Sequence, residues 1–188
     1  MHEVEPFYGW LKYYTSEQDA NSPFFEVIHN EFEYDRQVYQ YLAHPQWDHI
    51  DSESLLVKIL YADYENGVAI LELFGVWNDL LENDYRLLAD NCLSYLIDAG
   101  VNRFVLIMEN VLNVYVDLDD YYEAIQDELG DGWICLLRAR EHVKSEFQEH
   151  NIDQYFFWSQ ALDELLWRKL KPAQLYQKVE NKLAKLLC

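Results

Sequence analysis

From Leu55 onward the chain switches between apolar runs and amphipathic runs, and the two periods predict strands alternating with helices. "LLVKILYADY" and "VAILELFGVW" are β-branched and apolar. The Asn66-Gly67 pair between them signals a hairpin, because both central residues of a type I′ turn need a positive φ. In "NDLLENDYRLLADNCLSYLIDAG", Leu80, Leu81, Leu87, Leu88, Cys92, Tyr95 and Leu96 fall at helical spacing, and Gly100 offers a left-handed stop. "VNRFVLIMEN" reads as a strand buried on both faces. "MENVLNVYVDLDDYYEAI", Met108 to Ile125, then reads as a loop entering a helix that Gly130-Asp131-Gly132 breaks. "WICLLRA" is another buried strand, "REHVKSEFQEHN" a helix, "DQYFFW" a last short strand, and "SQALDELLWRKL" a helix capped by Ser159. Pro172 opens "PAQLYQKVENKLAKLLC", where Leu175, Val179, Leu183, Leu186 and Leu187 share a face, with Lys178, Lys182 and Lys185 opposite or flanking it.

The order from residue 55 is therefore ββαβαβαβα. It predicts an α/β domain with a mostly parallel sheet opened by an antiparallel hairpin. Residues 1–54 are different: aromatics recur without a clean period, and Pro6, Pro23 and Pro45 cut the segment into short pieces. They read as an aromatic-rich N-terminal extension, with a short strand or helix near Phe24–Leu42, packed on an α/β domain over 55–171. An amphipathic C-terminal helix over 172–188 completes the division.

Composition changes this picture mainly through charge. The chain has 188 residues and a formal net charge of −20, with 51% hydrophobic and 16% aromatic residues, enough to build a core. From Leu165 to the end there are six Lys/Arg and one acid, so the preceding body sets 8 Lys/Arg against 33 Asp/Glu. Such a body repels nucleic-acid phosphates and anionic membrane and attracts basic protein surfaces. The acidic start Met1-His2-Glu3-Val4-Glu5 is unlike a secretion signal, and no apolar run approaches the ~20 residues of a spanning helix. A cytoplasmic setting is expected. Three cysteines without paired spacing give no disulfide framework or zinc knuckle, and Cys92 and Cys135 sit in apolar segments.

The order of elements, and some residues, resemble the STAS fold of anti-sigma-factor antagonists and sulphate-transporter cytoplasmic tails. "VAILELFGVWND" is similar to the family's second strand, which ends in a Gly before the first helix. "DAGVNRFVLIMENV" resembles a helix end, a Gly and the third strand. "DGWICLLRAREHVKSEFQEHNIDQYFFW" resembles the next strand, short helix and small strand, and "SQALDELL" the closing helix. The resemblance spans about residues 55–167. It implies a phosphorylatable Ser or Thr at the start of the helix after the third strand, a region placed here at Val116 to Asp120. No Ser or Thr occurs between Ser94 and Ser145, so the family's switch has no hydroxyl to act on. Asp117, Asp119 and Asp120 supply fixed single charges instead.

Three readings compete for this acidic turn. Asp120 and Glu123 have the spacing of a capping box, and first-turn carboxylates suit the helix dipole. Tyr115, Asp117, Asp119, Asp120, Tyr121 and Tyr122 also suit a docking patch, with tyrosine anchors between acids. A metal or catalytic carboxylate cluster is the third reading, although the turn lacks the Gly and terminal Glu of a calcium loop. His142, Glu146 and His150 share a helix face at i, i+4, i+8, which reads as a solvated face; His44 and His49 read as loop residues. No phosphate-binding glycine loop, nucleophile elbow or H-E-x-x-H occurs, and no cofactor is implied. The expected function is a non-catalytic, regulatory or assembly protein with an acidic docking face for a basic protein partner. A homodimer through the C-terminal helix is the further partner expectation, and the alternative is a metal-dependent or carboxylate-based enzyme.

Overall fold

The computed structural model describes residues 2–117 and 120–186, and it is α/β. In chain order the strands are β1 (His2–Val4), β2 (Gln37–Val38), β3 (Tyr41–Ala43), β4 (Asp48–His49), β5 (Leu55–Asp63), β6 (Val68–Asn78), β7 (Arg103–Tyr115) and β8 (Trp133–Leu137). The helices are α1 (Asp84–Leu88), α2 (Ser94–Asp98), α3 (Tyr121–Leu129), α4 (Glu141–Glu149), α5 (Gln160–Asp163) and α6 (Pro172–Leu186), with a π-helical turn (Ala89–Leu93) joining α1 to α2.

The main sheet has the order β4-β5-β6-β7-β8; the β4/β5 and β5/β6 pairs are antiparallel, and β6/β7 and β7/β8 are parallel. Both predicted hairpin strands are present because their side chains are buried on both faces. The turn differs: among its residues only Gly67 has a positive φ, and Asp63 accepts from the Asn66 backbone and side chain, making a longer loop than a type I′ turn. Gly75 has φ +125, and a Cβ there would come within 2.0 Å of the Ser54 carbonyl oxygen, so only glycine permits this approach of β6 to the start of β5.

One face of the sheet packs Leu71, Leu73, Leu106 and Leu136 against Leu88, Cys92 and Leu96, Ile125 and Leu129, and Val143 and Phe147 of the helices. The other packs Ile70, Val105, Ile107 and Leu137 against Trp10, Trp167 and the α6 residues Leu175, Val179 and Leu183. The apolar face of α6 is thus occupied by the chain's own sheet, and a homodimer cannot use these three residues while the helix stays docked.

The N-terminal segment is tied down by its aromatics. Trp10 Nε1 donates to Leu170 O at 2.8 Å and Trp47 Nε1 to Val4 O at 2.9 Å. Its strands form a small sheet, β1-β3-β2, while β4 joins the main sheet. The sheet therefore begins inside the stretch read as an extension.

Beyond residue 100, three elements depart from the sequence expectation. β7 runs on to Tyr115 through two register shifts against β6, so the start of "MENVLNVYVDLDDYYEAI" is strand rather than loop. "DQYFFW" forms a 3₁₀ turn (Asp153–Tyr155) and a single parallel bridge, Phe157 to Cys135. The helix capped by Ser159 stops at Asp163, whose carbonyl accepts from Arg138 Nη1 at 2.8 Å.

Candidate functional site

The carboxyl ends of parallel strands are where α/β sheets most often place binding surfaces. Here β6 ends at Asn78 opposite Tyr115, the end of β7. The next residues are held firmly. Asp79 is buried and accepts from Trp77 Nε1 (3.1 Å), Tyr85 N (2.9 Å) and Tyr122 Oη (2.5 Å). Burial pushes its carboxyl up to about 6, against the opposing effect of those hydrogen bonds. Buried Asp84 accepts from Asn78 N at 2.7 Å and Ser54 Oγ at 2.8 Å. Below them, Trp77, Tyr85 and Tyr122 stack in a column, with Tyr85 and Tyr122 centroids 4.0 Å apart and 2° from parallel.

This clamp delays the helix. Asn83 adopts a left-handed conformation at φ 55, and α1 begins only at Asp84. Leu80 and Leu81, expected on a core-facing helix, lie instead on the preceding turn at 57% and 78% exposure. Tyr115 at 39% and Tyr39 at 56% stand nearby, and hydrogen bonding to Tyr115 raises the Tyr39 phenol. Asp117, Asp120 and Glu123 are exposed on the segment that follows β7, and Asp120 and Glu123 border a groove with His150 and Tyr155. Arg86, a cation on this rim, lies over the Tyr121 ring at 4.9 Å and 3.5 Å from Asp90. An exposed apolar turn results, tied by Asp79 N to Tyr115 O at the point where the chain beyond β7 becomes acidic.

The six residues predicted for this site are distributed unequally. Tyr115, Asp117 and Asp120 are on the rim; Tyr121 is half-buried and packs on the core. Asp119 lies outside the described residues. Tyr122 is 1% exposed, with its ring in the aromatic column, so it belongs to the core and is no surface anchor. The capping-box reading is corrected too: Asp120 has helical dihedrals, φ −62 and ψ −13, and its side chain makes no capping hydrogen bond. Leu80 and Leu81 are the rim residues the sequence reading misplaced.

The face of His142, Glu146 and His150 is at least partly solvated, as expected, and His150 Nδ1 lies 3.6 Å from Glu146 Oε1. His142 Nε2 is 3.0 Å from Leu112 O, while His150 Nδ1 is 3.0 Å from Glu146 O. Among the described residues, two other sets bring three possible ligand atoms together: Glu3, Glu5 and His44, and Glu17, His29 and Asp48. In the second, His29 Nε2 is 2.9 Å from Asp48 Oδ1 and 3.3 Å from Glu17 Oε1. Lys58, from the middle of β5, contacts Glu17 and lies 3.2 Å from Asp48 Oδ2. Asp48 and then Glu17 hold the His29 imidazole up to about 9. Burial works to raise the Glu17 carboxyl, but His29 and Lys58 outweigh it and bring it down to about 2.

Glu72, the cross-strand partner of Lys58, is fully buried; it accepts from Phe7 N at 2.8 Å and Asn110 Nδ2 at 3.2 Å. Burial pushes it up to about 7. Cys92 and Cys135 are buried as expected, and burial raises both thiols. Among the described residues, no helix is long and apolar enough to cross a membrane. No family model matches the chain, and a search of curated proteins finds no match.

Proposed function

We propose that the protein is a non-catalytic docking module whose rim at the carboxyl ends of β6 and β7 receives a basic segment of a protein partner. The observation that carries this reading is the pair Leu80 and Leu81, exposed on a turn whose flanks are locked by Asp79 and Asp84. Each leucine covered by a partner contributes about 1.5–3 kcal/mol, and a rigid turn loses little conformational freedom on binding. Exposed Asp117, Asp120 and Glu123, on the segment that follows β7, favour Lys/Arg side chains flanking the partner's apolar anchors. The same charge disfavours nucleic acid. A STAS-like identity and a cytoplasmic setting belong to the proposal as well; the strand–helix order supports the first. In that reading the acids at the family's switch position give a permanently charged surface.

The test compares full-length wild type with Leu80→Ser/Leu81→Ser and with Asp117→Lys/Asp120→Lys, each used as bait in extract from the cell of origin. A partner with a basic segment, retained by wild type and lost by both variants at unchanged thermal stability, is the expected result. Identical retention by all three baits would overturn the proposal.

A further inference from the structure

We propose that Glu17, His29 and Asp48 form a site for one divalent transition-metal ion, zinc or manganese, which fastens the 25–35 loop to the main sheet. The three ligands come from separate places: the 3₁₀ turn Ser16–Gln18, the loop after Phe24, and strand β4. Asp48 has no exposed side-chain surface, and His29 is 9% exposed there. Although the ring nitrogen is 2.9 Å from Asp48 Oδ1 and 3.3 Å from Glu17 Oε1, neither His29 Nε2 nor either Asp48 oxygen makes an aligned hydrogen bond. Buried groups this close ordinarily aim an N–H at an oxygen. Ligands around a shared ion do not: donors about 2.0–2.2 Å from a tetrahedral zinc sit roughly 3.3–3.6 Å from one another, aimed at the space between them, so the His29–Glu17 pair already has that spacing and the His29–Asp48 pair opens by about half an ångström on loading.

Donor chemistry selects the ion. Two carboxylates balance a dication; the imidazole favours zinc over calcium and magnesium, which prefer all-oxygen shells, and the two carboxylates suit manganese as well. Loading displaces the ring proton, as binding to a protonated imidazole must. A cavity of about 350 Å³, lined in part by Phe24, Ile28, His29, Asp48 and His49, gives an approach from solvent. Lys58 is the competitor, because its ammonium faces the same two carboxylates. It also lines a neighbouring cavity of about 380 Å³, into which its long stem can swing. The loop has reason to need an anchor: Ile28 and Phe32 are 94% and 88% exposed, so they hold it to nothing.

The test is titration of the chelator-stripped full chain with Zn²⁺ and Mn²⁺, with Mg²⁺ as reference, read by calorimetry and elemental analysis. One equivalent of zinc or manganese should bind at micromolar affinity or tighter, raise the Tm, and slow proteolysis within residues 25–35. His29→Gln should weaken binding about tenfold or more, and Lys58→Met should tighten it by a similar factor. Glu3→Gln/Glu5→Gln, in the exposed set with His44, should leave it unchanged. Two results would overturn the proposal. One is the absence of saturable binding in wild type and Lys58→Met when both keep a native near-ultraviolet spectrum, which would leave the cluster an ion-pair network. The other is undiminished binding in His29→Gln, or loss in Glu3→Gln/Glu5→Gln, which would move the ion elsewhere. Neither readout depends on the docking rim.

Discussion

At the rim, Asp117, Asp120 and Glu123 stand in water; in the N-terminal segment Glu17 is half-buried and Asp48 fully buried, and each meets Lys58 and His29. The residue types are similar and the physics is opposite. Exposed carboxylates interact only weakly with their neighbours through water, so the rim keeps its field for a partner. Buried ones need hydrogen-bond donors, a raised pKa or compensating charge, and Glu17 and Asp48 find the last within the chain. Substitutions at the rim should therefore change binding and leave stability alone, and those in the buried interior should do the reverse.

Tyr122 gives the largest break in that comparison. It neighbours the acidic turn in sequence but belongs to the interior, stacked on Tyr85 and bonded to Asp79. Tyr122→Ala should cost about 3–5 kcal/mol in denaturant unfolding. Lys58→Ala leaves two carboxylates facing His29 alone and should cost a comparable roughly 3 kcal/mol, measured on metal-free protein.

Glu72 sharpens the comparison through pH. Its folded carboxyl lies at about 7, above its value of 4.5 when unperturbed, because of burial. A raised carboxyl stabilises the fold at pH below the unfolded value and loses that contribution as pH climbs through about 7. Asp79, raised to about 6, acts in the same direction over a lower range. Wild-type stability should fall by roughly 3 kcal/mol between pH 4 and 8 from Glu72. Glu72→Gln should flatten that slope in urea titrations across the range. Smallest of all, Leu80→Ser/Leu81→Ser and Asp117→Lys/Asp120→Lys should each stay within about 0.5 kcal/mol of wild type.

What could be read from the sequence follows from how local each signal is. The β5–β6 hairpin, α3, α4, β8 and the apolar stripe of α6 were legible, because their periods persist for several residues and tertiary contacts agree with them. Leu80 and Leu81 were misplaced because they continue the helical spacing of Leu87 and Leu88. What excludes them from the helix is the bonding of Asp79 and Asp84 to backbone amides six residues away, which no period records. The length of β7 was hidden by Glu109, Asn110 and Asn113, which interrupt its apolar run where the register shifts occur. Glu17 and Lys58 meet across 41 residues, and His29 and Asp48 join them from two further segments. Only the folded chain brings that cluster together. Tyr121 and Tyr122 look equivalent in sequence, and the helix turns one toward Arg86 and the other into the aromatic column.

The docking claim is tested most directly by placing a photo-cross-linking residue at position 81 and, as a reference, at exposed Gln148 on α4, then irradiating intact cells of origin. The account predicts a discrete adduct from position 81 alone, mapping to a basic, apolar-anchored segment of the partner and disappearing when Asp117→Lys/Asp120→Lys is combined with it. No adduct at 81, or the same adducts from 81 and 148, would contradict it.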